Sequence, residues 1–273
     1  MPQLTVEGND ARSTNPEGFE RPMRFVDLSV PLDDNRGWAP WWARTRVRRQ
    51  GHRFGRLAMW SLFGVPGRLL KTGAGWANEQ LSLSSHGTTH LDAPWHYAPT
   101  SEGHPAKTID QVPLTWCYGP GVKLDLRHVP EGEAITAEHL QAASAQVTIR
   151  PGDIVLIQTG NDRFWGQPDY FRRGLGMSAQ ATRWLLDFGV HVVGIDSFSW
   201  DVPLPIAARR AKATGRRDLF WQGHYVGVDR EYCHLERLTN LGQLPASGFT
   251  VCCFPLKVRG GSAGPARVVA ILP

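Results

Sequence analysis

Cysteine is scarce, at four in 273 residues, and Cys117, Cys233, Cys252 and Cys253 contain no Cys-x-x-Cys pair. Adjacent Cys252 and Cys253 would point to opposite faces of a strand. A disulfide framework is therefore not expected, and neither is a cysteine-rich structural zinc site; a reducing cytoplasm is the simpler setting. Long apolar runs are also missing. No stretch approaches the 18 residues of a membrane span, and MPQLTVEGNDARSTNPEGFE has no apolar stretch of the secretory kind. Nor is there a phosphate-cradling glycine motif: DIVLIQTGND has neither G-x-x-x-x-G-K nor G-x-G-x-x-G.

What is present has a globular balance, with 41% hydrophobic and 20% charged residues, which excludes a disordered chain. Glycine (29) and proline (20) are abundant enough to argue for many turns and against a helical bundle. The net charge of +5 raises the possibility of a nucleic-acid-binding module. Its distribution argues otherwise, because Arg44, Arg46, Arg48, Arg49, Arg53 and Arg56 carry the excess within one short stretch. Without them the chain is about one charge negative, and no nucleic-acid motif is recognisable.

Short β-branched runs at 25–30, 122–126, 153–158, 190–195, 249–254 and 267–272 predict strands, several apolar on both faces as buried strands are. Thr136 predicts the N-cap of a helix running to Ala145. Ser178 predicts the N-cap of a second, stopped by Gly189. Strands alternating with helices predict an α/β chain built on a mixed sheet or barrel. We expect a disordered or extended arm over 1–22 and one catalytic domain over 23–273. Residues 38–76 stand apart. They hold five of the eleven tryptophans (Trp38, Trp41, Trp42, Trp60 and Trp76) among arginines and glycines. Such a segment suits either a packing contact or an aromatic wall for a flat substrate.

The strongest chemical signal is SLSSHGTTHLDAPWHY, which sets His86, His90, Asp92 and His96 within eleven residues. Imidazole with carboxylate is a ligand set for Zn²⁺, Mn²⁺ or Fe²⁺. All three spacings between these four residues are even, so an extended chain would present every one on the same side. Pro94 should bend the path and return His96 to the rim of the site. His224 and Glu236 are further candidates, although alone each reads as a satisfied polar residue.

HGTTHLDAPWH resembles the His-x-Gly-Thr-His-x-Asp-x-Pro-x-His signature of the metal-dependent cyclase family, which includes kynurenine formamidases, isatin hydrolases and aromatic-polyketide cyclases. The similarity runs from about Phe25 to the C-terminus, through FVDLSVPL, DIVLIQTG, VVGIDSFSWD and LERLTNLGQLPASGFTVCCFPLKVRGGSAGPARVVAIL. One departure is that Gly87 directly follows His86 instead of lying midway between the histidines. The resemblance implies that His86, His90 and Asp92 hold one divalent ion, Zn²⁺ or Mn²⁺. Asp92, His224 and Glu236 would complete a second. His96 would be the general acid/base and Trp38 would stack on the substrate. It further implies a small aromatic substrate, a homodimer or homotetramer, and hydrolysis of an aryl amide, lactam or ester, with aldol-type cyclisation as the alternative. The segment 38–76 is expected to cover the site, partly from a neighbouring subunit.

Overall fold

The computed structural model describes residues 11–13 and 21–273. The arm expected over 1–22 lies outside these residues except for Ala11–Ser13, Arg21 and Pro22, which belong to two antiparallel strands.

Ten strands form one mixed sheet. In chain order they are β1 (Ala11–Ser13), β2 (Arg21–Asp27), β3 (His90–Asp92), β4 (Tyr118–Asp125), β5 (Ile154–Gln158), β6 (Val192–Ile195), β7 (Cys233–Glu236), β8 (Phe249–Cys252), β9 (Ala263–Pro265) and β10 (Val269–Leu272). Their spatial order is β1-β2-β10-β8-β4-β5-β6-β7-β3-β9. The four central strands β4 to β7 run parallel, and every pairing outside them is antiparallel. All six predicted strands are present, most of them shorter than the apolar runs that predicted them.

Alternation along the central strands divides the core. Val155, Ile157, Val193 and Ile195 face one cluster, which the helices Ala137–Ala143 and Ala179–Leu186 complete with Leu140, Ala181 and Leu185. Ile154, Leu156, Val192 and Leu235 face the other, with Val26, Val251 and Ala270 from the antiparallel strands. A strand buried on both faces has no polar side to show, which is why β5 reads as an uninterrupted apolar run. Both predicted caps are made. Thr136 accepts from the His139 amide at 3.4 Å and Ser178 from the Ala181 amide at 3.1 Å. Gly189 ends the second helix at φ 77°.

Residues 45–83 leave this body. Thr45–Gln50 and Asn78–Leu83 pair as an antiparallel ribbon, and the helix His52–Phe63 follows the first of its strands. Both faces of the outer ribbon and nearly all of the helix are exposed, including Leu57, Trp60, Leu62 and Phe63 at 61–67%.

Candidate active site

The site is built by strand register. In β3, His90 and Asp92 are two apart and share a face; in β7, His234 and Glu236 do the same. The strands pair antiparallel with His234 opposite Asp92 and Glu236 opposite His90. Four ligand side chains therefore stand as neighbours on one face, and on the far side of β3 they meet only Ala263 and Pro265.

The chain then leaves the extended path at both ends of β3. His86 sits on the turn before it, and His96 on the single helical turn Pro94–Tyr97 after it. The uniform extended path expected for the four residues holds only for His90 and Asp92. The bend at Pro94 does what was expected, placing His96 Nε2 3.8 Å from Asp92 Oδ2. Gly87, the departure in the motif, fits a close approach: a Cβ there would lie 2.7 Å from Thr45 Oγ1.

All six predicted histidines and carboxylates come together. His86 Nδ1 lies 2.8 Å from Asp92 Oδ1, and His90 Nε2 lies 3.1 Å from the same atom and 3.6 Å from Glu236 Oε2. His224 Nε2 is 3.9 Å from Asp92 and 3.7 Å from Glu236. A seventh residue, His234, was missed. Its Nε2 is 3.0 Å from Asp92 Oδ2 and 3.3 Å from Glu236 Oε1. Asp92, His224, His234 and Glu236 form a buried set able to hold a metal ion, and His86, Asp92 and His96 form a second set that shares Asp92. The signal for His234 was available: it is two residues before Glu236, the same in-phase pairing that singled out His90 and Asp92.

Each buried imidazole is turned by an outer partner. His90 Nδ1 donates to the Thr88 carbonyl at 2.7 Å, and His234 Nδ1 donates to Tyr97 Oη at 3.0 Å. His224 Nδ1 bonds to the Asp201 carboxylate, which also accepts from the amides of Gly223 and His224. In His90 and His234 this directs the Nε2 lone pair inward, as metal-ligating histidines require. Tyr97 in turn packs so closely on Gly227 that a Cβ there would come within 2.2 Å of its ring. His90 Nε2, His234 Nε2 and both Asp92 oxygens are buried with no hydrogen-bond partner. Orphaned polar atoms are costly unless something joins them, and a cation at their convergence would do so.

The electrostatics follow from this packing. Burial opposes charge on Asp92, but His86, His96 and His90 outweigh it and hold the carboxyl well below its usual range. Burial likewise opposes charge on Glu236, yet the His234 imidazole 3.3 Å away helps bring it to about 2. His234, despite burial, is raised to about 9 by the Asp92 and Glu236 carboxylates close beside it. His96 goes the other way. Burial drives it down to about 3, only partly offset by Asp92, so it is neutral at neutral pH.

A cavity of about 430 Å³ opens beside His86, His96, His224 and Glu236. Trp42, Phe198, Phe220 and Trp221 supply aromatic walls, and Arg237 supplies a cation. From the segment 38–76, Trp42 lines this cavity. Trp38 does not line it but packs edge-on against Trp165 at 4.7 Å, beside Tyr170, in an aromatic cluster that shares Phe198 with the cavity wall. The ribbon and helix beyond Thr45 project away from the sheet.

The family model described as "Putative cyclase" matches residues 26–202. A kynurenine formamidase of Paracidovorax citrulli is 30% identical over 197 residues, spanning 71% of this chain and 79% of its own. Cyclase-like protein 1 of Arabidopsis thaliana is 25% identical over 205 residues, 74% of this chain and 72% of its own. Among solved structures, isatin hydrolase A from Ralstonia solanacearum superposes with a TM-score of 0.72 at 23% identity, covering 92% of each chain. An isatin hydrolase bound to the product analogue thioisatinate does so with a TM-score of 0.72 at 20% identity, over 92% of this chain and 93% of that one. The mixed sheet is thus that of these enzymes, and the chain belongs to the cyclase family, as an enzyme of the hydrolase or cyclase type.

Proposed function

We propose that the chain is a divalent-metal-dependent hydrolase that opens an amide, lactam or ester carbonyl of an aromatic substrate. The carrying observation is the set of four orphaned ligand atoms on His90, Asp92 and His234, buried within reach of Glu236. Asp92, His224, His234 and Glu236 would hold the ion, with His86 and His90 able to complete a second site at Asp92. Nitrogen and carboxylate donors without thiolate suit Zn²⁺ or Mn²⁺. When bound, such an ion supplies Lewis acidity to a carbonyl and to water.

The chain's own residues supply the rest. His96, neutral at the cavity rim, accepts a proton at Nε2 and returns it to the leaving nitrogen or oxygen. Trp42, Phe220 and Trp221 hold the ring and exclude water, so stacking passes from Trp38 to tryptophans that line the cavity. The names of the relatives, kynurenine formamidase and isatin hydrolase, are those of enzymes acting on aryl carbonyl compounds, which supports this substrate class. We further propose a homo-oligomer, as a homodimer or homotetramer, because the projecting ribbon exposes more apolar side chain than a monomer tolerates. Four free thiols support a cytoplasmic setting.

Metal analysis of the purified chain, with a screen of aryl formamides, isatins and poly-ketones, tests the reading. Metal content with formamide or isatin turnover is expected. Turnover of poly-ketones alone would instead mark an aldol-type cyclase, whose enolate needs the same positive charge.

A further inference from the structure

Arg237 follows Glu236 directly, yet nothing in the mechanism above uses it. It is buried to 2% exposure and lines the cavity beside His86 and Glu236. Its backbone is left-handed, at φ 59°, a conformation unfavourable for a residue with a long side chain. Trp221, on the same cavity wall, has the same strained backbone. Strain of this kind persists where the surrounding structure enforces it, and it gathers at ligand sites.

The guanidinium is held rigidly. Its Nε donates to the Phe198 carbonyl at 3.2 Å, its Nη1 donates to the His86 carbonyl, and its plane lies 3.9 Å over the Phe198 ring. What it lacks is an anion. No carboxylate pairs with it among the described residues, and Nη2 finds no protein acceptor there. The nearest candidate in sequence, Glu236, turns its oxygens to His90, His224 and His234 instead. A buried charge without a counter-ion is expensive, and arginine does not escape by losing its proton. If Asp92 and Glu236 are committed to a cation, Arg237 is left as an unbalanced positive charge on an otherwise aromatic wall.

We propose that Arg237 is the specificity-determining residue of this cavity, and that the substrate carries a carboxylate on or beside its aromatic ring, which Nη2 receives while the aromatic walls hold the ring. This rests on the hydrolase reading and narrows its substrate class to aryl amides or lactams bearing an anionic oxygen group. The rigid fork suits a carboxylate, and the preformed bonds from Nε and Nη1 mean little ordering is needed on binding.

The test uses the metal-loaded full chain and two formamides that differ by one group, N-formylanthranilate with its ortho carboxylate and formanilide without it. Arg237→Gln should raise KM for N-formylanthranilate roughly 10- to 100-fold, the scale of a lost charge-assisted hydrogen bond, with kcat little changed and a much smaller rise in KM for formanilide. Arg237→Lys, which keeps the charge and guards against misfolding of the Gln variant, should fall between. An equal loss of kcat on both substrates would mean that Arg237 acts on the reacting carbonyl and would overturn the proposal, as would no change on either. If the wild type turns over neither formamide, the hydrolase reading fails separately, and binding decides. Tryptophan fluorescence of the metal-free wild type should then report benzoate binding at least about tenfold tighter than benzamide, a preference weakened by salt and absent in Arg237→Gln. Equal binding of the two by the wild type would overturn the proposal without recourse to any variant.

Discussion

His96 and Asp92 are four residues apart and nearly in contact, yet their environments set them different tasks. Asp92 lies at the centre of the ligand set with both oxygens orphaned, whereas His96 stands at the rim, a quarter exposed. Asp92→Ala should therefore abolish stoichiometric metal binding, measured by elemental analysis after dialysis, because two ligand sets share that side chain. His96→Ala should keep the metal and lose turnover by roughly 10²–10⁴-fold, and His96→Asn should do no better, since an amide cannot relay a proton. Loss of metal in step with activity in His96→Ala would make His96 a ligand. Asp201 acts one step out, through His224 Nδ1. Asp201→Asn should weaken metal affinity by roughly 10- to 100-fold, read by competition with a chelator. The metal-free protein also carries a pH signature. His234 titrates near 9 in the fold against about 6.5 in an unfolded chain, so its contribution is complete below pH ~6.5 and is lost as pH rises through 9. Melting of the chelator-treated protein should accordingly drop across that window. A flat Tm there would show that His234 is not held between Asp92 and Glu236.

At the scale of elements, the active site depends on two very short strands, β3 with three residues and β7 with four. Their register sets which side chains face each other, and a slip of one residue would turn both ligand pairs to the opposite face. The helix Ala179–Leu186 has a simpler role, covering one face of the sheet through Ala181 and Leu185. Ser178→Ala removes its cap and should cost about 1 kcal/mol in urea unfolding, with metal content unchanged. Six strands and both helices were legible because each carries its own signal, an apolar run or a capping residue before an amphipathic stretch. The strands β3, β7 and β9 were not delimited. Three or four residues provide too little periodicity, and two of the three positions in β3 and two of the four in β7 are ligands, not apolar residues.

The molecule as a whole places its chemistry on the sheet and its exposed apolar surface on the ribbon and helix of residues 45–83. A two-stranded ribbon has little stability alone, and Leu57, Trp60 and Phe63 face outward on a helix with scarcely any buried side. If these side chains meet a second copy of the chain, sedimentation should give a dimer or larger species. Trp60→Glu with Leu57→Glu should shift it toward monomer without loss of metal. A wild-type monomer at micromolar concentration would remove the oligomer proposal. The expectation that the whole segment 38–76 covers the site is met at Trp42 alone among its tryptophans, since Trp38 turns into the cluster with Trp165 and the outer segment projects.

The sequence by itself determined the α/β class, most of the central strands, and four of the seven residues that gather at the site (His86, His90, Asp92 and His96), while His224 and Glu236 came only from the family resemblance. The reason is that strand burial, helix capping and even-spaced ligands are local patterns, readable within a dozen positions. Only the tertiary structure decided that His234 joins them, that Trp42 and not Trp38 faces the cavity, and that Arg237 is buried without a counter-ion. Each of these depends on pairing between segments more than a hundred residues apart: β3 beside β7, the 38–42 turn against residues 165–171, and Arg237 reaching the carbonyl of His86. A histidine beside a cysteine, a tryptophan among tryptophans or an arginine after a glutamate carries no mark of its partner until the sheet brings that partner to it.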